Sequence, residues 1–274
     1  MTTLPLNEIL MLMAALIGAG LVGGLIAGLF GVGGGTVIVP ALFYAFAVLG
    51  LGGEANLHTA IGTSLLTIVA TSWRSLKAHR SHGAVDEVVL RSWTPWVAFG
   101  GLVGAALAGI TSMEGLAIIY GVCVLLVAAQ MGLLPERFVL RSDMPTGWGR
   151  RVGATGIGLL SAMMGIGGGS FGGMTMTLFG RPIHQAVATA SGFGLAIGAT
   201  ASVGFVVFGW DAPGRPPFSL GYVNVPAALV MGLLTTLVAP YGARLAHSLD
   251  KRVLRKAFAV YLLITGALVV LKAL

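Results

Sequence analysis

Residues 161–184 read SAMMGIGGGSFGGMTMTLFGRPIH, and residues 27–43 read AGLFGVGGGTVIVPALF. In each, three adjacent glycines interrupt an otherwise apolar run. A glycine in a helix interior costs about 1 kcal/mol relative to alanine, so three in succession break the helix. The hydroxyl residue that follows, Thr36 or Ser170, is placed to cap a second, shorter helix. The motif therefore predicts two broken helices, with Gly33, Gly34, Gly35 and Thr36 at one break and Gly167, Gly168, Gly169 and Ser170 at the other. The start of each short helix leaves unpaired amides and a partial positive charge. Such an end binds an anion without a full charge on the protein. If the break lies at membrane depth, its backbone must be buried in protein or line a cavity.

The duplication extends past the glycines. His58-Thr59-Ala60-Ile61-Gly62-Thr63 resembles His184-Gln185-Ala186-Val187-Ala188-Thr189, and GAVD at 83–86 echoes GYVN at 221–224. Ordered matches of this kind predict two repeats, 1–134 and 150–274, joined by a cytoplasmic linker at 135–149. Each repeat has about five apolar segments, at 7–30, 36–50, 58–76, 93–110 and 115–134, then 151–164, 170–179, 184–208, 220–245 and 254–274. The segments 36–50 and 170–179 fall short of the roughly 20 residues of a spanning helix, so they are tilted, broken or re-entrant. An odd number of segments per repeat turns the second half upside down. The expected fold is an all-α polytopic membrane protein of two inverted-topology repeats with short or broken helices at the Gly-Gly-Gly motifs, a signature of secondary transporters. Gly20, Gly24 and Gly28 are spaced by four, a helix-packing pattern that needs no break.

Composition agrees. Of 274 residues, 56% are hydrophobic and 9% charged, against about 25% charged in soluble domains. Mean hydropathy is +0.94. The bilayer is the solvent such a chain fits. The formal charge of +7 comes from basic residues in clusters between apolar segments: Arg74, Lys77, Arg80 and Arg91; Arg137, Arg141, Arg150 and Arg151; Arg244, Lys251, Arg252, Arg255 and Lys256. That pattern orients a membrane protein with these loops inside and both termini outside. It is not the basic face of a nucleic-acid binder. The N-terminal apolar run reads as a retained membrane helix. The single cysteine, Cys123, forms no internal disulfide and no metal cluster, so neither a metal nor a cofactor is expected. Residues 167–172 spell G-x-G-x-x-G, yet no strand–helix context or later acidic partner accompanies them.

All nine acidic residues fall at segment ends or in loops. Cation exchangers and carboxylate proton relays generally need such a group within the membrane; an anion carrier does not. His58 and His184 follow the two short segments at matching places. Each is either a helix-end histidine bonded to a backbone carbonyl or an anion or proton contact. Arg181 is either the cation nearest the site or a residue snorkelling to the interface. Thr63, Thr189 and Ser191 either add hydroxyl donors to the site or satisfy nearby backbone. Trp93 and Trp96 read as interfacial anchors, and Pro40, Pro95, Pro226 and Pro240 as helix bends or ends.

Through GLFGVGGGTVIVPAL at 28–42 and GLLSAMMGIGGGSFGGMTM at 158–176 the chain resembles the TauE/SafE family of sulfite and organosulfonate exporters. The resemblance covers essentially the whole chain. It implies a bacterial inner-membrane carrier of sulfite, sulfoacetate or related sulfur anions, usually in export, with the two glycine motifs at the site. The second half departs from the first, since Pro40 has no equivalent near Met174 and the loop before His184 is shorter. An asymmetric cavity follows. The expected partners are a small anionic substrate and the lipid bilayer, with protons as the candidate coupling ion, no nucleic acid, and room for a homo-oligomer. The rival readings are an anion channel of the same architecture and an uptake carrier for another small carboxylate or oxyanion. An enzyme is not expected, because no nucleophile–base pair or metal cluster lies at membrane depth.

Overall fold

A computed structural model describes residues 6–30, 34–51, 53–133, 139–248 and 251–273; Gly33, one of the expected site residues, lies outside them. In a bilayer every backbone group must be bonded internally, so an apolar chain of this kind closes its bonds within helices. Among the described residues ten α-helices form: α1 (Leu6–Phe30), α2 (Gly35–Val48), α3 (Asn56–Ser81), α4 (Glu87–Ile110), α5 (Met113–Leu133), α6 (Gly147–Met164), α7 (Gly169–Leu178), α8 (Ile183–Phe208), α9 (Val225–Ser248) and α10 (Lys251–Ala273). Four of them contain stretches long and apolar enough to cross a membrane, at Glu87–Ile110, Ile183–Phe208, Val225–Gly242 and Lys256–Ala273. The protein is an all-α polytopic membrane protein. Leu229, Leu233 and Leu237 make an exposed stripe along α9 that suits lipid chains.

Both glycine motifs do break the chain, although not with the expected caps. Gly34, at φ 71°, precedes α2, and Gly168 precedes α7; neither helix start has a side-chain cap. Thr36 and Ser170 sit inside the first turn instead. The left-handed turn at Gly34 redirects the chain by itself, a conformation side chains rarely adopt. α6 ends in a Schellman turn, with Gly165 at φ 65° and the amides of Gly165 and Ile166 donating to Ala162 and Ser161 at 3.2 and 3.0 Å.

α7 has 10 residues; at 1.5 Å rise it covers about 15 Å, half of a hydrocarbon core of about 30 Å. Its end returns to the level where α6 begins: the amides of Leu140 and Arg141, in the segment leading to α6, donate to the Leu178 carbonyl at 2.8 and 3.4 Å. α6 and α7 therefore form a re-entrant hairpin with residues 165–168 at its tip. That tip meets the start of α2. A Cβ on Gly35 would collide with the Gly165 carbonyl oxygen and sit 2.8 Å from Ile166 Cα.

The halves pack reciprocally. α1 lies on α9 and α4 on α6, while α3 crosses α8 and α5 pairs with α10. Close approach depends on glycine: a Cβ on Gly24 would be 2.8 Å from Thr235 Cα, and one on Gly158 would be 2.8 Å from the Gly101 nitrogen. Two expected boundaries differ. α3 continues to Ser81 rather than 76, because Arg74, Lys77 and Arg80 extend a helix readily. The span expected at 220–245 starts instead with a small hairpin, β1 (Ser219–Leu220) against β2 (Val223–Asn224). α9 begins only after it, with Pro226 in the first turn where its missing N–H is no loss.

Candidate functional site

A cavity of about 500 Å³ opens where the breaks meet α3, α8 and α9. Gly34, Gly167 and Gly169 supply its backbone wall. Thr71, Arg74, Ser75 and Ala78 project from one face of α3 at helical spacing, and Ser191, Thr235 and Thr236 face them from α8 and α9. Among the described residues, no acceptor bonds the amides of Gly35, Thr36, Gly169, Ser170 or Phe171. The Ser170 hydroxyl is buried without a partner among the described residues. Among the described residues Arg74 makes no ion pair and no carboxylate lines the cavity. The hydroxyls of Thr71, Ser191 and Thr235 donate to carbonyls of their own helices, which leaves the wall amides, the Ser75 and Thr236 hydroxyls and the Arg74 guanidinium as the donors an oxyanion requires. Nothing in the donor set suits a metal, and no group of three or more His, Cys, Asp or Glu forms among the described residues.

Several expected site residues lie elsewhere. Thr63 and Thr189 have structural roles that mirror each other across the halves. The Thr63 hydroxyl accepts from the Asn224 amide at 2.9 Å, and the Thr189 hydroxyl from the Asp86 amide at 2.9 Å. The two bonded residues are the N-caps of α9 and α4: Asn224 Oδ1 accepts from the Ala227 amide at 3.0 Å, and Asp86 Oδ1 from the Val89 amide at 3.0 Å. The GAVD and GYVN echo is thus a repeated cap, each pinned to the crossing helix of the other half. Asn224→Ala is expected to lose about 1–2 kcal/mol of stability, seen as a lowered melting temperature in detergent.

Arg181 Nη2 lies 3.5 Å from Asp86 Oδ2, so its charge is directed to that capping carboxylate, and it does not line the cavity. His58 is buried at 4% exposure. Its Nε2 is 3.0 Å from both the Ala108 and Thr111 carbonyls, so that nitrogen carries the proton and donates to both. The ring stacks on Tyr222 at 4.8 Å. It borders a second, smaller cavity of about 270 Å³ rimmed by Glu54 and Glu114. His184 is exposed in the first turn of α8, outside both cavities. Gly35, Thr36, Gly168 and Ser170 stand beside the cavity at the breaks without lining it.

Arg74 is the residue that sequence reading passed over. It stands in a basic cluster, where a topological signal explains any arginine. Its register carries the missing clue: with Thr71, Ser75 and Ala78 it shares a face of small and hydroxyl side chains, which is an unusual setting for a loop-side cation.

Known proteins give the arrangement a context. The chain matches the family described as Sulfite exporter TauE/SafE over residues 16–269. It is 31% identical to a "Probable membrane transporter protein" of Haemophilus influenzae over 95% of this chain and 98% of that one. It is similar to proteins with the same description from Bacillus subtilis, at 28% identity over 62% and 70% of the two chains, and from Methanocaldococcus jannaschii, at 23% over 96% and 97%. No solved structure shows a significant match.

Proposed function

The chain belongs to the sulfite exporter TauE/SafE family and is a membrane transporter, and from that premise we propose that it is a secondary carrier exporting a small sulfur-containing anion across the bacterial inner membrane. The observation that carries the proposal is the single cavity joining both glycine breaks to Arg74, with no carboxylate in its lining. Sulfite or the sulfonate of a compound such as sulfoacetate accepts bonds from the backbone amides of the cavity wall, Gly34 and Gly169 at the starts of α2 and α7, and Arg74 supplies the balancing charge. Hydroxyls of Ser75 and Thr236 complete the shell.

The reciprocal helix pairs support reading 1–134 and 150–274 as repeats of opposite orientation, with 135–149 as their linker. The end of α3 bearing Lys77 and Arg80, the start of α6 bearing Arg150 and the segment bearing Arg141 then face the cytoplasm, and the cavity, bounded by Ala78 and Pro240, lies at that same end of α3. One open end and one packed end favour alternating access over a continuous channel. In proteoliposomes, flux of sulfite or sulfoacetate is expected to saturate and to accelerate when the same anion is present on the far side. A linear, unstimulated flux identifies a channel, and no movement of any sulfur oxyanion defeats the substrate assignment.

A further inference from the structure

The cavity walls have counterparts in the opposite half. Aligning His58 with His184 and Asp86 with Asn224 maps the α3 wall at 71–78 onto 197–204 of α8, and the α9 wall at 235–240 onto 97–102 of α4. There the space is filled. Val97, Ile197 and Ala201 are fully buried. A Cβ on Gly101 would lie 2.7 Å from Thr200 Oγ1, one on Gly204 would lie 2.6 Å from Ala105 Cβ, and one on Gly109 would lie 2.8 Å from Phe208 Cβ. Of two equivalent seams, α4 on α8 is zipped and α9 on α3 is open.

The zipped seam ends at His58, which holds the Ala108 and Thr111 carbonyls at the end of α4 and stacks on Tyr222. The equivalent residue at the open seam, His184, is exposed and has no hydrogen-bond partner among the described residues. At both seams the starting end of the moving helix is pinned, α4 through Asp86 on Thr189 and α9 through Asn224 on Thr63. Each helix thus has a pinned start, and the far end of α4 meets the histidine-bearing start of α3.

We propose that His58 and His184 are the two latches of one alternating gate, closed in turn. His58 now seals the end bearing Tyr222. When the seams exchange states, α4 leaves α8 and α9 swings about Asn224 onto α3. Ala239 then meets Arg74 as Gly101 meets Thr200 here, and His184 donates to carbonyls near the end of α9. The proposal rests on the carrier reading above, and the same correspondence of halves predicts both contacts.

The test uses the full chain in right-side-out and inside-out membrane vesicles, in a Cys123→Ser background. Ser75→Cys reports the open cavity, Ala201→Cys reports the zipped seam, and a membrane-impermeant maleimide is the probe. A lost hydrogen-bonded latch shifts the balance of states about 3- to 10-fold. His58→Ala is expected to raise labelling of Ala201→Cys from the Tyr222-bearing end by that factor and to slow labelling of Ser75→Cys from the other. His184→Ala is expected to slow labelling of Ala201→Cys by a similar factor. His58→Gln keeps an N–H donor for the same carbonyls and should restore the original rates, which a purely space-filling role would not predict. Should His58→Ala fail to fold, the exposed His184→Ala carries the test alone. Unchanged rates, or shifts in the same direction for both alanine variants, overturn the latches. Anion flux in vesicles holding the Cys123→Ser chain without either reporter cysteine separates the two ideas. Flux without opposite labelling shifts leaves the carrier and removes the latches; opposite shifts without flux of any sulfur anion leave the latches and remove the substrate reading.

Discussion

Arg74→Gln is expected to cut anion flux roughly 30- to 150-fold with little change in melting temperature. The size follows from one charge-assisted hydrogen bond to a bound anion, about 2–3 kcal/mol. The unchanged stability follows from the free side chain, which makes no ion pair among the described residues. Arg74→Lys keeps the charge without the planar fork and should fall between wild type and Gln. Arg181→Gln is the matched control. Its charge is engaged with Asp86, itself the cap of α4, so that variant should lose stability first and flux only as a consequence. Initial rates in proteoliposomes and melting curves in detergent decide the matter. If Arg181→Gln silences transport while Arg74→Gln leaves it intact, the cavity described here is not the anion site.

The contrast between these arginines shows where sequence reading ends. Periodicity and glycine chemistry are local, and they located both breaks and the short helices from residues alone. The all-α membrane architecture followed from composition, because 9% charged residues cannot cover a water-facing surface. The site is not local. Thr63 and Thr189 look like hydroxyls beside a histidine, yet their partners, Asn224 and Asp86, are 161 and 103 residues away. Nothing in the spacing announces that crossing. Arg181 shows the same limit, since only the fold brings it to Asp86. Thr36 and Ser170 failed as caps for a different reason: a glycine takes the N-cap position of each short helix, left-handed at Gly34 and right-handed at Gly168, and offers no side-chain acceptor. The amides left open at α2 and α7 are those that a hydroxyl cap would have closed.

Gly35→Ala tests whether the two breaks truly touch. The added methyl would collide with the Gly165 carbonyl oxygen and press on Ile166 Cα. Both obstacles are backbone, so no rotamer change relieves them, and the tips must part. Overpacking of this kind costs about 1–3 kcal/mol, and the melting temperature should fall accordingly. Flux should fall further than stability, by at least about tenfold, because parting the tips misplaces the amides of both helices around the anion. Membrane insertion should persist, since the apolar spans that direct it are untouched. Gly156→Ala provides the comparison. It lies within α6 and a Cβ there meets nothing within 4 Å, so the same chemical change should leave flux intact and raise stability by up to about 1 kcal/mol. A Gly35→Ala protein that melts and transports like Gly156→Ala would mean that the tips stand apart, and the shared anion site would lose its backbone wall.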